Sequence, residues 1–184
     1  MEALSLLLNR MSLPRLTEPA PSGETLENIK KAALRAPDHA ALKPWKFIVC
    51  EGAGLKKLGD IFEQAAIESD MSERDVERAP ELPLRAPMVI IAICKHQEHP
   101  KVPWIEQVAS TSCAVQAMQM AAVAQGFQGM WRTGSYASNE AVKSALFLEE
   151  QDEIVGFLYL GTAACTPAAE RPEHPPEQYF EHWS

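Results

Sequence analysis

One stretch of the chain, RAPDHAALKPWKF, gathers Arg35, Asp38, His39 and Trp45 around a single Pro-punctuated loop. A cation, a carboxylate, an imidazole and an indole are more than ordinary packing asks of a loop. Taken alone, Arg35 also reads as a cation at a helix C-terminus and Asp38 as a turn cap. A second stretch, LLLNRMSLPR, sets Arg10 and Ser12 on either side of Met11 where a first helix ends. A guanidinium and a hydroxyl at that spacing can grip a phosphate, with Arg15 adding charge, because the Arg fork matches a phosphate's oxygens. The competing reading is an Arg on the helix dipole with Ser12 as a turn residue. A third stretch, GMWRTG, holds Trp131, Arg132 and Thr133 between two glycines at a strand edge. Glycines there let a planar ligand approach the backbone closely, although Trp131 also suits a core.

Other chemistries find no footing. No G-x-G-x-x-G follows a strand and no Walker loop or G-x-S-x-G occurs. His96 and His99 in KHQEHP fall in a polar loop without a second pair of ligands, so no metal site is expected. Cys50, Cys94, Cys113 and Cys165 form no C-x-x-C pair and read as buried, reduced thiols. Cys113, on an apolar helix, is a poor candidate nucleophile.

Composition sets the frame. The 184 residues are 46% hydrophobic, enough for one domain, 1–184, with a real core. A formal net charge of -8 argues against nucleic acid as a partner, since phosphate repels an acidic surface. The N-terminus MEALSLLLNRMS is too short and acidic for a signal peptide. The apolar segment 108–126 carries Gln116, Gln119 and several hydroxyls, which suits a buried helix and not a membrane span. The expected location is the cytoplasm.

The elements that must position these residues follow from periodicity. Residues 2–10 predict a short helix with Leu4, Leu7 and Leu8 on one face. Ser22 caps a helix running to about Arg35, with Leu26, Ile29, Ala33 and Leu34 inward. Trp45 to Cys50 is a strand, Gly54 to Ser69 an amphipathic helix, and 72–79 a short charged one. MVIIAIC after Pro87 is an apolar run, a strand covered on both faces. Trp104 to Gln125 is one helix of about 33 Å, apolar nearly all round and closed by Gly126. Such a helix must be covered on every side, and a second subunit is the natural cover. FQGMWRTG is a short strand or loop, Asn139 to Leu146 a helix, and EIVGFLYLGT a strand. The tail 166–184, with four prolines and then Tyr179, Phe180 and Trp183, reads either as an arm that packs on a partner subunit or as a loose terminus. Helices interleaved with about four strands give α+β or α/β.

In their order and spacing, LLLNRMSLPR, RAPDHAALKPWKF, the MAAVAQG helix, GMWRTG and IVGFLYLGT resemble the nitroreductase family of FMN-dependent oxidoreductases, most closely its small members. The resemblance implies an α+β nitroreductase-like fold: a central mixed or antiparallel sheet wrapped by helices, with the long buried helix at a homodimer interface. It implies two FMN sites, each built from both subunits, with NAD(P)H as electron donor. By position, Arg10, Met11 and Ser12 match the phosphate-gripping motif, Arg35 and His39 the ligand-facing loop, and Trp131, Arg132 and Thr133 the segment beside the isoalloxazine ring. Ala121, Ala122, Val123, Ala124, Gln125 and Gly126 match a stretch associated with NAD(P)H. The implied reaction is ping-pong reduction of an electron-poor small molecule, a nitroaromatic or a quinone, with no catalytic side chain named.

The chain also departs from the family pattern. Met11 stands where many members carry a basic residue, and Pro14 where a Lys or Arg often reaches the pyrimidine edge. Asp38 and Ala41 replace a Ser and an Asn, and Lys43 a Gln. These changes keep two alternatives open: a specialised flavin reductase or oxidase, for example of enones, and a non-catalytic flavin-binding accessory protein.

Overall fold

The computed structural model describes residues 2–164 and 174–183. In chain order the main elements are α1 (Ala3–Asn9), β1 (Leu16–Thr17), α2 (Gly23–Ala33), β2 (Trp45–Glu51), α3 (Ala53–Glu68) and α4 (Glu73–Arg78). Then come β3 (Met88–Cys94), α5 (Trp104–Ala124), β4 (Gln128–Arg132), α6 (Glu140–Ala145) and β5 (Glu153–Ala163). β5 is the axis of the sheet. It pairs antiparallel with β3 and with β4 over the same residues, so these flank it, and with the short β1 at its far end. β2 lies beyond β3, also antiparallel. The expected α+β fold with an antiparallel sheet among helices is what forms. Among the described residues the one parallel contact is an isolated bridge from Ser12 to Gly129 on the outer side of β4.

The side chains of β3 are all buried, because helices cover the sheet on both faces. On one face α3 and α6 enclose Phe62, Phe157, Ile91 and Val89. On the other, α2 and α5 enclose Ile29, Met118, Ile90 and Leu158. α2 follows Ser22 as expected, but the Ser22 side chain makes no cap bond and Leu34 is exposed. α5 ends in a Schellman turn. Gly126 takes a left-handed φ of 89°, its N–H donates to Val123 O, and the N–H of Phe127 donates to Ala122 O.

α5 keeps an exposed stripe that its own chain does not cover, Ile105, Ala109, Cys113, Gln116 and Ala124, the side that the expected second subunit would cover. One expectation needs correction. Cys113, on that stripe, is an exposed thiol, while Cys50 and Cys94 are buried. Burial pushes the Cys94 thiol up to about 11, which keeps it inert. Cys165 and residues 166–173 of the expected arm lie outside the described residues. Further on, Tyr179, Phe180 and Trp183 are exposed.

Candidate functional site

The sequence-predicted residues fall into two groups. The first lies along β4. Arg10 caps α1 and its Nη1 donates to Ser12 Oγ at 3.3 Å. Ser12 bridges Gly129, and the N–H of Leu13 donates to Gly129 O at 3.3 Å. The loop 10–14 is thereby laid beside the strand that carries Trp131 and Arg132, and Arg132 Nη2 donates to Pro14 O at 3.0 Å. Met11 is half-buried between Arg10 and Ser12, and Thr133 is exposed just past the strand. Gln119 of α5 supports the same place, its Nε2 donating to Gly129 O at 3.0 Å.

Trp131 is held by a feature the sequence reading passed over. Between Ala92 and Ile93 the β3–β5 register slips, so that Val155 of β5 has no partner on β3. The Trp131 indole Nε1 donates to Val155 O at 3.1 Å. The ring lies over Gly156, where an added Cβ would stand 2.7 Å from Arg132 O and closer still to Trp131 Nε1. A bulge with a glycine thus makes room for the indole. A glycine inside EIVGFLYLGT was the available signal.

Arg132 projects to the α3 face, its guanidinium carbon 5.4 Å from the Tyr159 ring centre. Its Nε is buried and has no hydrogen-bond partner. Burial, and next the charge of Arg85, hold its guanidinium below the ordinary value. Burial pushes the Tyr159 phenol up, against the pull of Arg132 and Arg85.

The second group lies across the sheet, in the loop that enters β2. β5 and β3 stand between β4 and β2, about 14 Å of sheet at the usual strand spacing. Arg35 is exposed beyond α2. His39 Nδ1 meets Glu106 Oε2 at 2.7 Å. The backbone here is contorted: Ala40, Ala41 and Lys43 all have positive φ, between 52° and 61°. Non-glycine residues persist in that region only when surrounding bonds impose it. Here they do. Asp38 accepts from the Lys43 N–H at 2.7 Å, Ser110 Oγ donates to Pro37 O at 2.7 Å, and Thr111 Oγ1 to Pro44 O at 3.2 Å. Gln97 Nε2 donates to Leu42 O at 2.8 Å and is itself braced by Gln107. Glu106, Gln107, Ser110 and Thr111 are a polar stripe on α5 that the sequence reading, which took this helix as apolar, did not use.

The stretch Ala121–Gly126 is drawn into the α2–α5 contact. Ala122 and Val123 are buried, and Gln125 bonds to Ala121 O, Thr25 O and Asn28. Ala124 and Gly126 alone of this stretch are exposed. His96 and His99 join no cluster; among the described residues no three metal-type ligands converge.

The sequence model of the nitroreductase family matches residues 8–162, which span both groups. This chain belongs to the nitroreductase family. An Escherichia coli protein named "Putative NAD(P)H nitroreductase YdjA" is 51% identical to it over 162 residues, 88% of each chain. The solved structure of a nitroreductase-like family protein from Bacillus cereus, 23% identical, superposes with a TM-score of 0.83 over 100% of this chain and 96% of that one. A Bacteroides fragilis nitroreductase solved with bound FMN, 20% identical, gives a TM-score of 0.77 over the whole of both chains. At such identities these two structures speak for the fold.

Proposed function

We propose that this nitroreductase is an FMN-dependent oxidoreductase that works as a cytoplasmic homodimer, one domain per chain, with NAD(P)H as donor. The observation that carries the reading is the placement of the two residue groups on opposite edges of one sheet. Neither edge alone encloses a ligand, whereas two copies can bring the 35–45 loop of one against the β4 edge of the other. The open apolar stripe of α5 and the exposed Leu4, Leu7 and Leu8 of α1 give such a pairing apolar surface to bury. Tyr179, Phe180 and Trp183, exposed on the single chain, would pack on the partner subunit. No described helix is long and apolar enough to cross a membrane.

The residues present fit FMN. Arg10 and Ser12 bring a guanidinium and a hydroxyl together at 3.3 Å, which suits a phosphate. The buried, unpartnered Arg132 Nε calls for an acceptor, and a flavin edge is rich in them. When bound, FMN supplies two-electron transfer in ping-pong order, from NAD(P)H to an electron-poor acceptor such as a nitroaromatic or quinone. Arg10 and Ser12 hold the phosphate. Trp131, fixed by the Val155 carbonyl, lines the ring, and Thr133 offers donors beside it. Arg132 stabilises negative charge that develops on the ring. Arg35 and His39 approach from the other copy, and Ala124 with Gly126 are the positions of 121–126 open to NAD(P)H. Water protonates the product.

The visible absorption spectrum of the purified protein, before and after anaerobic NADH, tests this. Flavin bands that bleach with NADH are expected. A protein that stays colourless after FMN is added sinks the reading and leaves the fold as a scaffold.

A further inference from the structure

Beneath β4, on the α3 face of the sheet, lies a cavity of about 390 Å³. Two guanidiniums line it, Arg85 and Arg132, and no carboxylate does. In a chain of net charge -8, two cations sharing a carboxylate-free cavity are not a by-product of a basic surface. Asp75, whose charge reaches Tyr136, is taken up by Arg78 at 4.0 Å and by Ser72. Arginine does not lose its proton, so the two guanidiniums repel one another until an anion comes between them. The buried Arg132 Nε still lacks an acceptor. Around the pair stand hydroxyls of Thr133, Ser135, Tyr136 and Tyr159, able to donate to an oxygen. Phe62, stacked on Tyr136 at 4.4 Å between ring centres, gives the cavity an aromatic wall on one side.

We propose that Arg85 and Arg132 form an oxyanion subsite in this cavity, for a carboxylate or phosphate monoester group. The subsite stands on these residues alone; the source of its anion rests on the flavin reading above. Two sources share the chemistry: an anionic group on the electron acceptor, and the phosphate of FMN itself, bound here instead of at Arg10 and Ser12. The cavity adjoins Trp131 to Thr133, so an acceptor anchored there by its anionic end is held beside the ring-facing segment.

Calorimetric titration of inorganic phosphate into the purified protein in chloride buffer, with and without added FMN, tests it. Saturable binding is expected without FMN, weakened about tenfold in Arg85→Gln and largely kept in Arg85→Lys. No saturable binding, or binding that Arg85→Gln leaves unchanged, overturns the subsite whatever the flavin result. Phosphate binding that disappears on FMN loading assigns the subsite to the cofactor's phosphate. Binding that survives loading assigns it to the acceptor. The ratio of kcat/KM for 4-nitrobenzoate to that for nitrobenzene then falls about tenfold in Arg85→Gln. A protein that takes up no FMN but binds phosphate through Arg85 keeps the subsite and discards the flavin reading.

Discussion

Asp152, just before β5, and Arg132, on β4 opposite Phe157 of β5, are both charged groups drawn at least partly out of water, and the fold treats them in opposite ways. Asp152 is 1% exposed and fully engaged: it takes the Lys95 ammonium, the His96 N–H at 3.1 Å and the Glu149 N–H at 2.8 Å. Burial alone would push its carboxyl up, but Lys95 and the two backbone donors outweigh this and hold it below the ordinary value. It ties the end of β3 to the start of β5, and nothing is left over for a ligand. Arg132 keeps a buried donor without an acceptor and shares a cavity with a second arginine, Arg85, and no carboxylate. A satisfied buried charge holds a fold together. An unsatisfied one is tolerated where a ligand completes it.

If that contrast holds, removing each charge has a different signature. Asp152→Ala leaves a partly buried ammonium and two N–H groups without their acceptor. It is expected to cost about 2–4 kcal/mol in urea unfolding, discounted because Lys95 is partly open to water. The same carboxylate sets an acid limit. Its pKa is lowered in the fold, so its stabilisation is complete above the ordinary carboxylate value, near pH 4, and is lost as pH falls through the lowered folded value. Asp152→Ala should flatten that acid arm of the stability curve.

Gly156→Ala tests the bulge between the two regions. A Cβ there meets Arg132 O at 2.7 Å and the Trp131 indole, so the ring must leave its place over the strand. The expected cost is about 1–3 kcal/mol, seen in thermal unfolding, with weaker FMN binding. Arg10→Ala should behave in the opposite way to Asp152→Ala, with stability near wild type and FMN affinity down about tenfold by fluorescence titration. Full FMN occupancy in that variant would remove Arg10 from the phosphate site. The smallest effect is expected of Glu106→Gln, which keeps a partner for His39 but not its charge. The pair is half exposed, so FMN affinity should change no more than about threefold.

Residue spacing carried much of the fold. The long β3 run, the α3 and α5 periods, the helix after Asn139 and the Gly126 stop each announce themselves locally, because propensity and capping act within a few residues. The candidate residues were legible in pieces: the loop that carries Arg10 and Ser12 does lie beside β4, which carries Trp131 and Arg132. What was missed depends on partners distant in sequence. Asp152 reads as one more loop acid until Lys95 is brought beside it. Arg85 reads as a surface arginine until the fold brings it into one cavity with Arg132. The polar stripe 106, 107, 110 and 111 was readable as i, i+4 pairs, but the loop it holds lies over sixty residues earlier.

The sequence by itself determined the family, the order of helices and strands and the identity of the chemistry-bearing residues, since these follow from composition, period and motif. Tertiary structure decided which of those residues share an edge of the sheet. It also decided which charge is closed by its own chain and which carbonyl a strand bulge hands to Trp131. Those facts depend on registers between strands and on burial, and no local pattern encodes a register set by packing against both faces of a sheet.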